Sequence, residues 1–122
     1  MFGLFSKSDA DSMTFYEAQA AGALIVDIRN PAEWAQSGVL PGARLITFAG
    51  LPSFLSALRP YINPNTPVAL ICASGARSAQ AQKLLAGKID APVVNIKGGM
   101  MGAMRAGQPV TPPTRKAGCT TC

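Results

Sequence analysis

The residues best suited to chemistry stand in the short segment Cys-Ala-Ser-Gly-Ala-Arg-Ser, residues 72–78. Cys72 ends an apolar run, and Arg77 opens a segment with helical character. Gly75 tolerates a positive φ, so a loop of such small residues can curl tightly. Amides that point into the loop would form an anion-binding nest at the positive end of the helix. A thiol in that setting loses its proton readily.

Two roles stay open for this segment. Many free cysteines are small buried core residues without chemistry. The run of small residues and the helix start favour the other role, a reactive thiolate at Cys72. Arg77 would then either bind the substrate or brace the loop from outside.

Cys119 and Cys122 form a Cys-x-x-Cys pair near the end of the chain. This spacing suits a redox pair or half of a metal site, and it also occurs without any role. The chain has three cysteines and no histidine. One chain therefore cannot build an ordinary structural zinc site, which leaves a soft metal such as Cu(I) or a site shared across a dimer as the alternatives. We expect neither a metal nor another cofactor. The sharper hypothesis is a sulfur relay from Cys72 through the tail thiols, and the alternative is an uninvolved exposed end.

The elements that would position these residues alternate along the chain. Apolar runs rich in branched residues predict buried strands at 23–28, 43–47, 67–72 and 92–96. Helices are predicted between them, and two carry capping boxes, Thr14 with Glu17 and Asn30 with Glu33. In the helix after Cys72 we expect Ala79, Leu84 and Leu85 to face inward. The pattern predicts an α/β fold with a sheet of about five mostly parallel strands and helices on both faces.

Length and composition narrow the class of protein. A chain of 122 residues with 48% hydrophobic residues suits one folded domain. The net charge is +5, but the basic residues are scattered, which gives no support to nucleic-acid binding. With neither a signal-like N-terminus nor a run long enough to cross a bilayer, we expect a cytoplasmic protein without membrane contact. The predicted organisation is an N-terminal extension (1–12), one domain (13–110) and a flexible tail rich in Pro and Thr (111–122).

Three blocks of this sequence resemble the signatures of the single-domain rhodaneses, which are sulfurtransferases. Residues 24–46, LIVDIRNPAEWAQSGVLPGARLI, are similar to the first signature. Residues 68–85 are similar to the active-site signature, with Cys72 opening the loop and Arg77 closing it. Residues 93–110, VVNIKGGMMGAMRAGQPV, resemble the C-terminal signature. The resemblance covers residues 14–110 and implies a rhodanese-like fold.

The resemblance also implies an enzyme of the thiosulfate:cyanide sulfurtransferase class. Cys72 would take a sulfane sulfur from thiosulfate or a persulfide and pass it to a thiophilic acceptor, a small thiol or a protein. Asp27 and Arg29 would support the site, most simply as a structural ion pair. The persulfide would be stabilised by the backbone amides of the loop, namely those of Ala73, Ser74, Gly75, Ala76, Arg77 and Ser78.

The sequence departs from the family pattern at positions that bear on the expected sulfurtransferase activity. The second loop position is often charged or bulky, and the neutral Ala73 should weaken the binding of thiosulfate. Met104 stands where a tryptophan is usual, and we expect it to fill the same apolar volume. Related phosphatases and arsenate reductases carry one more residue than the four between Cys72 and Arg77, so such an activity is the less favoured alternative. A persulfide carrier or redox module that delivers sulfur to a partner protein through the tail thiols is the other alternative.

Overall fold

The computed structural model describes residues 11–122; most of the predicted N-terminal extension, 1–10, lies outside the described residues. The described chain forms strands and helices in alternation. The strands are β1 (Ser12–Met13), β2 (Leu24–Asp27), β3 (Arg44–Leu45), β4 (Val68–Ile71) and β5 (Val93–Ile96). The helices are α1 (Phe15–Ala20), α2 (Pro31–Ser37), α3 (Leu51–Leu58), α4 (Ala76–Leu85) and α5 (Gly99–Arg105), with a 3₁₀ turn at Arg59–Tyr61.

The five strands form one sheet in the order β1-β5-β4-β2-β3, and every neighbouring pair is parallel. This confirms the predicted α/β fold. Strand β1 has only two residues, and its sequence, Ser-Met, carried no strand pattern that could have predicted it. Because the strands are parallel, the loops that follow them gather at one end of the sheet. Strand β4 is central and buried throughout, so the loop after it, which begins at Cys72, lies at the middle of that end.

Helices cover both faces of the sheet. On one face α1 and α5 pack through Phe15, Ala18 and Met100 against Ile71 and Ile96. The opposite face is covered by α3 and α4, whose Phe54, Leu58, Ala81 and Leu85 pack against Val26, Val68 and Leu70. Cys72 belongs to this second cluster, so its side chain points toward α3 and α4. Within the described residues, no helix has the length and apolar character needed to cross a membrane.

The predicted helix starts are confirmed by reciprocal hydrogen bonds. Thr14 and Glu17 bond each other at 2.8 and 3.1 Å, and Asn30 and Glu33 do so at 3.1 and 3.2 Å. Each helix therefore satisfies two of the amide groups that would otherwise lack partners. Pro31 occupies the first turn of α2, as predicted, and Gly38 ends it at a φ of 79°.

Two predictions about packing are wrong. Leu84 is 49% exposed, because the face of α4 that meets the sheet consists of Ser78, Ala81, Gln82 and Leu85. Two of those four residues, Ser78 and Gln82, are polar. The apolar residues of α4 therefore do not show the helical period that would predict its inward face. Met104 is 42% exposed and does not fill the volume expected for it.

The C-terminal tail follows the edge of the sheet. Thr111 and Val39 exchange two backbone hydrogen bonds of 2.8 Å, and the Leu45 amide donates to the Ala117 carbonyl at 2.8 Å. A side chain on Gly118, which has a φ of +126°, would overlap the Leu45 carbonyl. The tail thus has a defined path along β3, and its mobility in solution stays a prediction.

Candidate active site

The Cys72 thiol lies inside the loop that joins β4 to α4. The amides of Gly75 and Ser78 reach its Sγ at 3.1 and 3.4 Å, and the Ser78 hydroxyl lies 3.3 Å from it. Gly75 caps α4 in the left-handed region, at a φ of 102°, which turns these amides toward the sulfur. The loop therefore sets three donors around the sulfur, and its predicted role as a nest for a negative charge stays a prediction.

Burial and hydrogen bonding act in opposite directions on this thiol. Cys72 is 1% exposed, and burial raises its pKa. The hydrogen bond from the Ser78 hydroxyl and those from the amides of Ser78, Gly75 and Ser74 lower it, and together they outweigh burial. The pKa of Cys72 is therefore below that of an ordinary thiol, which favours the nucleophilic thiolate.

The N-terminus of α5 binds the backbone of the loop that begins at Cys72. The amides of Met100 and Met101 donate to the carbonyls of Cys72 and Ala73 at 2.8 and 3.0 Å. Gly99 permits this approach, because a Cβ there would lie 2.5 Å from the Cys72 oxygen and 2.6 Å from the Ala73 oxygen. With its carbonyls held outward by α5, the loop keeps its own amides turned toward the sulfur.

Arg77 points to Glu33 on α2. The guanidinium donates to both carboxylate oxygens at 2.8 and 2.7 Å. This pair lowers the pKa of Glu33 and raises the pKa of Arg77. The side chain of Arg77 is 48% exposed, so the geometry favours a brace between α2 and α4 over a cation aimed into the ring. Ser74 and Ala76 are the other exposed members of the loop.

Asp27 and Arg29 form a buried ion pair at the end of β2. Arg29 Nη2 lies 2.8 Å from Asp27 Oδ2, and Nε adds bonds to both carboxylate oxygens. The remaining donors of Arg29 reach Ser37 and the Gly38 carbonyl at 2.7 and 2.8 Å. This arrangement ties β2 to the end of α2, so the pair acts as a frame for the neighbouring loops.

The tail cysteines lie apart from Cys72. They form a disulfide, and Cys119 packs in a cluster with Trp34, Val39 and Leu45. Leu45, Asp27 and Ile71 are register partners across β3, β2 and β4, so Leu45 and Ile71 share one face of the sheet. Cys72 packs on the other face. The disulfide and Cys72 are therefore on opposite sides of the sheet.

Two parts of the site escaped sequence analysis. Asn95 lies inside an apolar strand and contacts Ser78, and only its polarity within a buried run could have signalled a role. Gly99 belongs to a Gly-Gly pair within the segment that resembles the C-terminal family signature, and the pair by itself does not indicate a contact with the Cys72 loop. The positive φ values of Gly98 and Gly99, 82° and 57°, explain why both positions favour glycine.

The fold and the site define a parallel α/β protein with a hydrogen-bonded thiol at the carboxyl end of its central strand. Residues 13–106 match the rhodanese-like domain family. The chain therefore belongs to the rhodanese family. It is also 34% identical over 110 residues to a sulfurtransferase from Allochromatium vinosum, in a match that covers 90% of this chain and 98% of that protein.

Solved structures agree with this assignment. A rhodanese-like domain protein from Staphylococcus aureus has a TM-score of 0.65 and 29% identity, over 83% of this chain and 98% of that one. A thiosulfate sulfurtransferase from Pseudomonas aeruginosa has a TM-score of 0.71 and 28% identity. The match covers 85% of this chain and 20% of the Pseudomonas protein, so the likeness concerns one part of it.

Proposed function

We propose that this protein is a sulfurtransferase that moves a sulfane sulfur through a persulfide on Cys72. The observation that carries the proposal is the ring of donors around Sγ, two amides and one hydroxyl within 3.1 to 3.4 Å. Membership of the rhodanese family and the related sulfurtransferase support it. The Cys72 thiolate attacks the outer sulfur of the donor, the bond between that sulfur and the rest of the donor breaks, and the leaving group departs with the electron pair.

The second half of the reaction returns the enzyme to its starting state. A nucleophilic acceptor attacks the outer sulfur of the Cys72 persulfide, and the Cys72 thiolate leaves. The same donors that stabilise the thiolate stabilise it as leaving group, because the negative charge returns to the atom that they surround. The α5 amides keep the loop in place through both steps.

The charges around the loop favour a persulfide over thiosulfate as donor. Thiosulfate carries two negative charges and would gain from a free cation beside the ring. Ala73 supplies none, and Arg77 is already paired with both oxygens of Glu33. We therefore expect a higher kcat/KM with a small organic persulfide than with thiosulfate.

Formation of thiocyanate tests the proposal. The wild-type protein should convert a sulfane-sulfur donor and cyanide into thiocyanate with parallel double-reciprocal plots, the pattern of a ping-pong mechanism. Cys72→Ser should reduce the rate to that of the uncatalysed reaction. Turnover by the Cys72→Ser variant at a rate near wild type would contradict the proposed function.

A dithiol relay through the tail is a second candidate, favoured by the disulfide between Cys119 and Cys122. The exposed Cys122 would take the outer sulfur from Cys72, and the Cys119 thiolate would then attack Cys122 Sγ and expel hydrosulfide. The closed disulfide is the oxidised product of that sequence, and a dithiol reductant would reopen it. The tail must leave β3 for this transfer, because Cys72 lies on the other face of the sheet.

Sulfide release separates the two candidates. The loaded protein is treated with a dithiol, and the sulfide that appears is measured. If the relay operates, deletion of residues 117–122 should lower this release, while thiocyanate formation from cyanide persists. Equal sulfide release by the full chain and the deletion variant would overturn the relay and leave the Cys72 mechanism intact.

A phosphatase activity receives less support from the site. Such a reaction needs a ring that surrounds a tetrahedral anion and a cation that meets its oxygens. Here four residues separate Cys72 from Arg77, and Arg77 turns to Glu33. An aryl phosphate incubated with the same preparation should remain unhydrolysed.

A further inference from the structure

Asn95 is a polar residue in the middle of a buried strand. Its exposed fraction is 9%, its neighbours in β5 are apolar, and its Oδ1 lies 2.5 Å from the Ser78 hydroxyl. Ser78 is fully buried, and the same hydroxyl lies 3.3 Å from Cys72 Sγ. A continuous chain of polar atoms therefore runs from Asn95 through Ser78 to the sulfur. Burying an amide in a strand costs free energy unless hydrogen bonds replace those it made with water. The hydrogen bonds that offset this cost for Asn95 lead to the sulfur of Cys72.

The number of protons in this chain limits how it can be arranged. Ser78 has one hydroxyl proton but lies within reach of two acceptors, the Asn95 oxygen and the Cys72 sulfur. With the Asn95 oxygen toward Ser78, the hydroxyl donates to Asn95, and its oxygen is free to accept from a neutral Cys72 thiol. With the Asn95 NH₂ group toward Ser78, that group donates to the hydroxyl oxygen, and the hydroxyl proton goes to the sulfur. The structure has the Asn95 oxygen toward Ser78, which is the first arrangement and suits the thiol. The second arrangement would suit the thiolate or the persulfide anion.

We propose that Asn95 is a positioning residue that draws the Ser78 hydroxyl proton toward its own oxygen and thereby limits how far this hydroxyl stabilises the anionic sulfur of Cys72. This inference rests on the proposed function and deepens it, because it assigns the anion-stabilising hydroxyl a partner outside the loop. Hydrogen bonds to a charged acceptor are roughly twice as strong as neutral ones. Loss of Asn95 therefore frees the Ser78 hydroxyl proton for the thiolate, and the pKa of Cys72 falls.

The charged groups around Cys72 stay unchanged in the variants that test this proposal. Among the described residues, the charged side chain that interacts with Cys72 is that of Arg77 on α4, which is paired with Glu33. Asp27 and Arg29, at the end of neighbouring β2, are paired with each other. None of these four side chains is altered in the test, so a change in the pKa of Cys72 reports on Asn95 and Ser78.

The test is a double-mutant cycle on the pKa of Cys72. The pH dependence of alkylation by iodoacetamide, with the tail disulfide left closed, gives this pKa without any sulfur transfer. Asn95→Leu keeps the size of the side chain and removes both hydrogen-bonding groups. At pH values below the pKa, we expect this variant to react about three- to tenfold faster, which corresponds to a fall of about half to one pKa unit. In a Ser78→Ala background, Asn95→Leu should produce no further change.

Gln82→Leu provides the matched control. Gln82 is another buried amide between α4 and β5, and it donates to the Val93 carbonyl at 3.0 Å without contacting Cys72. We expect this variant to unfold more easily while the pKa of Cys72 stays at its wild-type value.

Three results would overturn the inference: an unchanged or raised pKa in Asn95→Leu, an equal shift with and without Ser78, or an equal shift in Gln82→Leu. A folded Asn95→Leu protein is verified by its circular dichroism; if it does not fold, Asn95→Ser replaces it, with the same expectation. The proposed function fails separately, because a Cys72 that shows the expected pKa changes but never carries sulfur would refute sulfur transfer alone.

Discussion

Cys72 combines two properties that normally exclude each other. A thiol that is 1% exposed should resist ionisation, yet donors from three residues, Ser74, Gly75 and Ser78, lower its pKa below that of an ordinary thiol. The loop thus replaces water by fixed dipoles, which need no reorganisation when the charge moves onto the sulfur. A buried thiolate is also shielded from oxidants while its charge is retained.

The lowered pKa of Cys72 predicts that stability depends on pH. Between this pKa and the ordinary value of 9.0, the unfolded chain binds more protons than the folded chain. The free energy of unfolding therefore rises with pH across this window, and the gain is lost as the pH falls through the folded pKa. Denaturant unfolding of wild type and Cys72→Ser should show a difference that grows in favour of wild type as the pH rises. A difference that stays constant with pH would contradict the assignment of a lowered pKa.

The buried ion pair of Asp27 and Arg29 predicts an effect of mutation on the free energy of unfolding. Removing one partner of a buried ion pair leaves an uncompensated charge, which typically costs about 3–5 kcal/mol. Asp27→Asn should therefore lower the free energy of unfolding by about that amount, as measured by denaturant titration. Glu33, which lies near the surface, offers the contrast, because Glu33→Gln should cost less than about 1 kcal/mol. Equal losses in the two variants would show that Asp27 and Arg29 do not act as a buried pair.

Helix α5 contributes to the site through its backbone. Gly99→Ala would place a Cβ 2.5 Å from the Cys72 carbonyl in a residue with a φ of +57°, so the loop has to move. We expect a loss of stability of about 1–3 kcal/mol together with a fall in sulfur transfer.

Gly102, in the same helix, supplies the control for Gly99. A Cβ added at Gly102 would meet no atom of the described residues within 4 Å. Gly102→Ala should therefore be neutral or stabilise by up to about 1 kcal/mol, as measured by denaturant titration. Similar losses in both variants would argue against a supporting role for the Gly99 contact.

The elements could be predicted well from the sequence where one local signal decided them. The capping boxes of α1 and α2 and the apolar runs of β2, β4 and β5 needed no tertiary information. The inward face of α4 could not be predicted, because Ser78 and Gln82 are buried for their hydrogen bonds and not for apolar packing. Asn95 was missed for the same reason. Its role depends on the pairing of β5 beside β4, which joins residues that are distant in the sequence.

The tail shows how the molecule closes the β3 edge of its sheet. Strand β3 has two residues, and on its outer side the Leu45 amide donates to the Ala117 carbonyl of the tail. Thr111 of the tail pairs with Val39, a few residues before the strand. The Pro- and Thr-rich composition of the tail predicts a flexible chain end, but the contact of Cys119 with Trp34 and Leu45 depends on the fold. An edge strand covered in this way has fewer free backbone groups with which another chain could pair.

Deletion of residues 117–122 should therefore expose the Trp34 cluster. Trp34 is the single tryptophan of the chain, so its fluorescence reports on this cluster alone. We expect a red-shifted emission and a lower unfolding temperature in the deletion variant. Cys122→Ser is the control, because it removes the disulfide and leaves Cys119 in place; since the disulfide closes a short loop, we expect a smaller change. An unchanged emission after deletion would mean that the tail does not cover Trp34 in solution.

If Cys72 carries the transferred sulfur, the mass of the loaded protein will show the added atom. The reduced protein is incubated with a small persulfide or with thiosulfate, freed of donor, and analysed intact and after digestion without reductant. We expect one added sulfur atom on the peptide that contains Cys72, and none on that peptide in Cys72→Ser. Wild-type protein that gains no sulfur from either donor, or gains it at Cys119 or Cys122 even when Cys72 is replaced, would contradict the account.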